Sequence, residues 1–287
     1  MDIVTLEQKF KAPVGEVWAA ITQPELMKEW YFKVHNFELK PGNVFTFYGD
    51  DLQQTYLHSC EILQVEPLKL LEHTWTHPDH SKGRSVLRWE LSGIDEEHTL
   101  LTLTHSGLES FADAGPDFSP ENYEFGWKGI ISISLRNFLH DIGKQLFEID
   151  IKAPREKVWQ AMWSKAGYTA WTSEFTEGSY YEGELKAGET VHLLSPDGNG
   201  LYSDVIFMQE NKLMILSHIG IVVDGIEQDP DAETELWTGI LESYRLSDNE
   251  DGSTHLSLEL DNQKEYFEKM NESFPRAFHK LKALCEQ

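Results

Sequence analysis

The sequence predicts an α+β fold built twice over: two domains, each an antiparallel sheet followed by a long closing helix. Three observations predict it. Lys11-Ala12-Pro13-Val14-Gly15-Glu16-Val17-Trp18 recurs as Lys152-Ala153-Pro154-Arg155-Glu156-Lys157-Val158-Trp159, and the same displacement of 141 residues carries Ala20 to Ala161 and Trp30 to Trp171. Strand-like runs alternate apolar with polar residues, the pattern of a sheet with one dry and one wet face. Each half ends on apolar residues at helical spacing. A period of 141 is the size of a domain and far exceeds solenoid repeats, which places the domains at 1–143 and 144–287.

Taken in order, residues 3–11 alternate as a strand. Pro13 then suits the first turn of a helix, where its missing N–H has no partner to lose. Val14, Val17, Trp18 and Ile21 follow at i, i+3, i+4 and i+7, one apolar face. Pro24 opens a second short helix ending near Trp30. Pro41-Gly42-Asn43 is a turn, matched by Ala187-Gly188-Glu189. Strands are predicted over 44–48, 55–65, 69–76, 85–91 and 99–105. One parity of these strands collects Phe45, Phe47, Leu71, His73, Trp75, Leu87, Trp89, Leu91, Leu101, Leu103 and His105, and the other is more polar.

Residues 106–123 read as loop. A long helix follows, with Trp127, Ile130, Ile131, Leu135, Phe138 and Leu139 as its stripe and Gly143 as its C-terminal cap. The second copy repeats the order: a strand at 146–151, helices around Trp159 and Trp171, strands between 180 and 260, then a closing helix. Asn262-Gln263-Lys264-Glu265 resembles a capping box for that helix. Phe267, Met270, Phe274, Phe278 and Leu281 form its stripe, and Pro275 within it predicts a kink or break.

Composition narrows the role. The chain has 24 basic and 49 acidic residues, a net charge of −25, which repels nucleic-acid phosphates and anionic membrane surfaces; neither is an expected partner. The start, Met1-Asp2-Ile3-Val4, carries no signal-peptide pattern, and no apolar run approaches the roughly 20 residues of a membrane span. Cys60 and Cys285 lie at non-equivalent positions, so no structural disulfide is expected, and a cytoplasmic location fits best.

Phe10-Lys11-Ala12-Pro13 before Val17-Trp18, then Trp30, Leu39-Lys40-Pro41-Gly42, Trp75, His105-Ser106-Gly107-Leu108 and Gly126-Trp127 resemble the activator of heat-shock protein 90 ATPase-like family. That family belongs to the START-like, birch-pollen-allergen-like (SRPBCC) superfamily. The resemblance covers nearly all of 1–143 and is weaker over 144–287, where the Gly-Trp opening of the last helix is absent. It implies a helix-grip fold in each half, a sheet wrapped around its closing helix with an apolar cavity between them. Members of the superfamily bind hydrophobic small molecules, act as cyclases or aromatase-like enzymes, or serve as co-chaperones, so the fold implies a pocket and not a reaction.

The candidate site follows from the inward parity. Trp30, Phe47, Tyr56, Trp75, Trp89 and Trp127, with Ile131 on the closing helix, suit either a cavity lining or a packed core. His73 and His105 stand among apolar neighbours, where they orient a ligand, act as general acid or base, or are core histidines bonded to backbone. In the second copy Trp171 matches Trp30, and His218 falls near the counterpart of His73. His77-Pro78-Asp79-His80 is read as a turn and not a metal site. No catalytic set, metal or cofactor is expected. The expected function is binding of a hydrophobic or aromatic small molecule, mainly in the first domain. A co-chaperone-like module with a chaperone partner, and a cyclase or hydrolase using the cavity histidines, stand as alternatives.

Overall fold

Each repeat of the Lys-Ala-Pro motif turns a strand into a helix. In the first half β1 (Ile3–Phe10) leads to α1 (Val14–Thr22) and α2 (Pro24–Trp30). Pro13 stands just ahead of α1, and its carbonyl accepts from the Glu16 and Val17 amides at 2.9 and 3.2 Å. Val17, Trp18 and Ile21 bury the predicted face. The computed structural model describes residues 3–50, 54–229, 231 and 234–287.

Strands β2 (Val44–Asp50), β3 (Thr55–Glu66), β4 (Leu70–Trp75), β5 (Ser85–Gly93) and β6 (Thr99–Ser106) join β1 in an antiparallel sheet of order β1-β6-β5-β4-β3-β2. The inward parity is as predicted: β5 and β6 alternate buried and half-buried residues throughout their central stretches. Two short 3₁₀ turns, Leu108–Phe111 and Pro116–Phe118, precede the closing helix.

That helix begins at Pro120, earlier than the loop expected over 106–123 allowed. Ser119 caps it, its hydroxyl accepting from the Asn122 amide at 3.3 Å, and Pro120 takes the first helical position. A proline there starts a helix because its amide needs no partner. The helix runs as α3 (Pro120–Gly129), a π-helical segment (Ile130–Leu135) and α4 (Arg136–Leu139). Gly143 does not cap it. Asp141 makes the left-handed turn at φ 54°, and Gly143 already lies in the next strand, where a Cβ would come 2.7 Å from the Phe267 ring.

The chain divides into two units between Asp141 and Ile142. The second comprises β7 (Ile142–Ile151), α5 (Arg155–Trp163), α6 (Lys165–Thr172), β8 (Tyr180–Glu182), β9 (Thr190–Leu194), β10 (Gly200–Gln209), β11 (Leu213–Val223), β12 (Ile226–Glu227), β13 (Ile240–Asp248), β14 (Thr254–Gln263) and α7 (Phe267–Cys285). Its antiparallel sheet has the order β7-β14-β13-β11-β10-β9-β8, with β12 paired to β11. Asn262 and Gln263 belong to β14 and give α7 no side-chain cap. Helix α7 continues through Pro275, because Phe274, Ala277, Phe278 and Leu281 bury both halves of it against the sheet. Both units are thus helix-grip α+β domains.

One buried contact fixes how the two sheets correspond. The Thr99 hydroxyl donates to the Ala12 carbonyl at 2.8 Å, and the Thr254 hydroxyl donates to the Ala153 carbonyl at 2.7 Å. Counting along the registers from these threonines, Leu260 answers to His105, Glu242 to Leu87, Tyr244 to Trp89, Leu216 to His73 and His218 to Trp75.

Candidate functional site

In the first domain the inward histidines are held by indoles. His105 Nδ1 accepts the Trp127 indole N–H at 3.1 Å, so its own proton sits on Nε2, which donates to the Ser85 hydroxyl at 2.7 Å. Ser85 in turn donates to the Trp75 carbonyl at 3.2 Å. His73 Nε2 accepts from the Trp89 indole at 3.4 Å while Nδ1 donates to the Thr74 carbonyl at 2.9 Å. Burial pushes the His105 imidazole down to about 3 and that of His73 to about 4, so both rings are neutral at neutral pH. Around them Trp75 meets Trp127 at 5.2 Å and Phe47 at 5.3 Å between ring centroids, edge to face.

This packing leaves little room. Trp30, Phe47, His73, Trp75, Trp89, His105, Trp127 and Ile131 are all buried, and the space between Trp30, His73 and Trp89 measures about 10 Å³. That is about the least that holds one water. Around Trp30, His73 and Trp89 the first domain therefore has no room for the ligand expected between sheet and helix. The reason is local: two indoles, Trp75 and Trp89, point inward from adjacent strands.

The second domain is open where the first is filled. A cavity of about 390 Å³ lies between its sheet, α6 and α7, lined among others by Trp163, Tyr168, Trp171, Leu216, His218, Ile240, Glu242, Tyr244, Met270 and Phe274. Small-molecule sites typically measure about 300–1,000 Å³. At the two key positions His218 replaces the indole of Trp75, and Tyr244 replaces that of Trp89. The Trp171 indole donates to the Met162 carbonyl at 3.0 Å, as Trp30 does to Ala20 at 3.1 Å, so this tryptophan pins α6 to α5 in the second copy as it pins α2 to α1 in the first. In the second it also walls the cavity.

Polar groups meet at the cavity wall. Glu242 is 8% exposed and stands where the first domain has Leu87. A buried carboxylate is costly unless hydrogen-bonded. Here Oε1 accepts the Tyr244 hydroxyl at 2.5 Å and Oε2 lies 3.2 Å from His218 Nε2. His218 Nδ1 contacts the Ser203 hydroxyl at 2.7 Å, and Ser203 is fully buried behind it. Burial, then the Glu242 charge, holds the Tyr168 and Tyr244 hydroxyls well above the usual phenol range, so both remain protonated donors. The arrangement presents a carboxylate and an imidazole, rigidly positioned, to an otherwise aromatic and aliphatic space.

The predicted residues thus separate. Trp171 and His218 reach the second cavity, eight others form the closed first core, and Tyr56 lies apart. Tyr56 borders a different first-domain cleft of about 400 Å³, together with His58, His77, Phe118, Tyr123 and Phe125. Sequence reasoning passed over Glu242, Tyr244, Tyr168, Met270 and Phe274 as site residues. Glu242 had a readable signal, since it interrupts the inward series Ile240, Tyr244, Leu246 with a charge. Among the described residues no group of three or more histidine, cysteine or acidic side chains is arranged to hold a metal. No described helix is long and apolar enough to cross a membrane.

Residues 11–135 match the family model described as Activator of Hsp90 ATPase homolog 1-like protein. No curated protein matches the chain. Among solved structures, MLL2253 from Mesorhizobium loti is 27% identical over 48% of this chain and 96% of its own, with a TM-score of 0.40. DynU16, a putative protein in the dynemicin biosynthetic locus, is 17% identical over 99% of this chain and 96% of its own, with a TM-score of 0.40. The Aha1 dimer from Colwellia psychrerythraea is 22% identical over 50% of this chain and 96% of its own, also with a TM-score of 0.40.

Proposed function

We propose that this tandem protein, whose residues 11–135 match the model of the Activator of Hsp90 ATPase homolog 1-like family, binds a hydrophobic or aromatic small molecule in its second domain, between sheet and α7. One observation carries the reading: a cavity of about 390 Å³ exists where the first domain packs Trp75 and Trp89. Apolar walls supply the affinity through burial of ligand surface, and the Glu242–His218 pair meets a hydrogen-bonding group on the ligand. Binding is the role proposed, with His218 and Glu242 at the wall orienting the ligand.

The test rebuilds the first domain's filling in the second. N-phenyl-1-naphthylamine, an uncharged fluorescent probe with one N–H donor, is titrated into the wild type and into the double variant His218→Trp, Glu242→Leu. Saturable binding to the wild type and its loss in a folded double variant support the reading. Equal binding by both places the ligand elsewhere and ends it.

A second reading rests on the family match of the first domain: docking of that domain on a chaperone of the heat-shock protein 90 class. Stimulation of that chaperone's ATPase by the full chain supports it, and an unchanged rate with no complex on a sizing column removes it.

A further inference from the structure

The first-domain cleft beside Tyr56 has hydrogen-bonding capacity that the fold does not use. His58 and His77 both line it, are 6% and 2% exposed, and face each other edge to face with ring centroids 4.4 Å apart. His77 Nε2 accepts the Trp75 indole N–H at 3.2 Å and lies 2.6 Å from the Tyr123 hydroxyl. Its own proton is therefore on Nδ1, and that buried Nδ1 has no partner. His58 bonds the Tyr56 backbone, and its Nδ1 is likewise buried without a partner. Buried polar atoms are nearly always hydrogen-bonded, so two such atoms on adjacent rings of one cleft call for an outside partner.

The rest of the cleft describes that partner. His58 stacks on Phe47 at 4.4 Å and His77 packs edge-on to Phe118 at 4.7 Å, which fixes both rings. Phe125, 80% exposed, and Tyr56, 38% exposed, extend the aromatic surface to the mouth. Burial lowers the His58 imidazole to about 3 and that of His77 to about 4, so neither brings positive charge to balance an anion. Asp117 at the lining and a net charge of −25 oppose anions further.

We propose that this cleft is a second binding site, for an uncharged aromatic molecule carrying a hydroxyl that accepts from His77 Nδ1–H and donates to the bare Nδ1 of His58. It is independent of the second-domain cavity. The full chain is titrated with 2-naphthol, and separately with naphthalene, while the ring nitrogens of His58 and His77 are followed by ¹⁵N NMR. Both rings shift saturably with 2-naphthol, which binds about tenfold more tightly than naphthalene, the worth of one net hydrogen bond. Phe125→Ser, an exposed change that spares the core, weakens 2-naphthol binding. The ring shifts persist in the His218→Trp, Glu242→Leu variant, which separates this site from the other. Unmoved ring nitrogens at saturating 2-naphthol, or equal affinity for naphthalene, overturn the proposal.

Discussion

His218 occupies on β11 the place that Trp75 occupies on β4, opposite Ile240 where the first domain has Ser85. An indole fills the middle of one domain, and a smaller imidazole leaves the middle of the other open. The exchange is coupled to a second one, because Glu242 replaces Leu87 on the neighbouring strand and contacts His218 at 3.2 Å.

That coupling predicts non-additive stability. His218→Trp alone leaves the Glu242 carboxylate buried with Tyr244 as its remaining partner. Glu242→Leu alone strands the His218 Nε2 and the Tyr244 hydroxyl. Each single variant is expected to lose about 1–3 kcal/mol, the cost of an unsatisfied buried group. The double variant restores an apolar pair and is expected to recover at least about 1 kcal/mol of their sum. Urea unfolding of the four proteins measures it. Strict additivity would show that the two residues do not act as a pair.

The paired threonines give a matched test in both domains. Thr99→Val and Thr254→Val keep shape and remove the hydroxyl that satisfies Ala12 or Ala153. Each is expected to lower stability by about 1–3 kcal/mol. A cost under about 0.5 kcal/mol in either domain would mean that the contact does not hold the motif to the sheet.

The first-domain histidines predict acid sensitivity with a definite sign. His58 and His105 are pushed down to about 3, and His73 and His77 to about 4, chiefly by burial. Between those values and the ordinary value near 6.5 the unfolded chain binds protons that the folded one refuses. Stability from these groups is therefore fully present above about pH 6.5 and is lost as pH falls toward 4. Each contributes up to about 1.4 kcal/mol per pH unit within that window. His105→Leu, which installs the residue found at Leu260, removes one such group. It is expected to flatten the slope of stability against pH between 6 and 4.5, whatever it does to stability at pH 7. An unchanged slope would show that His105 does not stay neutral.

Much of the scaffold was legible because it depends on local periodicity. The alternation that put Phe47, Trp75, Trp89 and His105 on one face required only a strand and a wet side. The repeat at Pro13 and Pro154 required only identity at fixed distance. The start of the first domain's closing helix is not legible in the sequence, since a proline at 120 signals a break or a beginning depending on the cap before it, and Ser119 decides. The location of the open cavity was not legible, because a volume is the sum of side chains from strands far apart in sequence. It turns on aligning His218 with Trp75, two residues from the counterpart of His73, and the second domain's added strands hide that register.

Gly200 offers a test of the cavity wall that changes no lining side chain's chemistry. It begins β10 beside β9, and a Cβ there would overlap the Leu193 carbonyl oxygen. Leu193, Leu194, Gly200 and Leu201 all line the second-domain cavity. The overlap is with backbone, so it can be relieved only by moving one strand relative to the other. Gly200→Ala is expected to cost about 1–3 kcal/mol, in the range of other forced backbone shifts. It is also expected to weaken N-phenyl-1-naphthylamine binding while leaving the 2-naphthol response of His58 and His77 intact. A variant as stable as the wild type with undiminished probe binding would mean that the β9–β10 edge yields freely and does not shape the cavity.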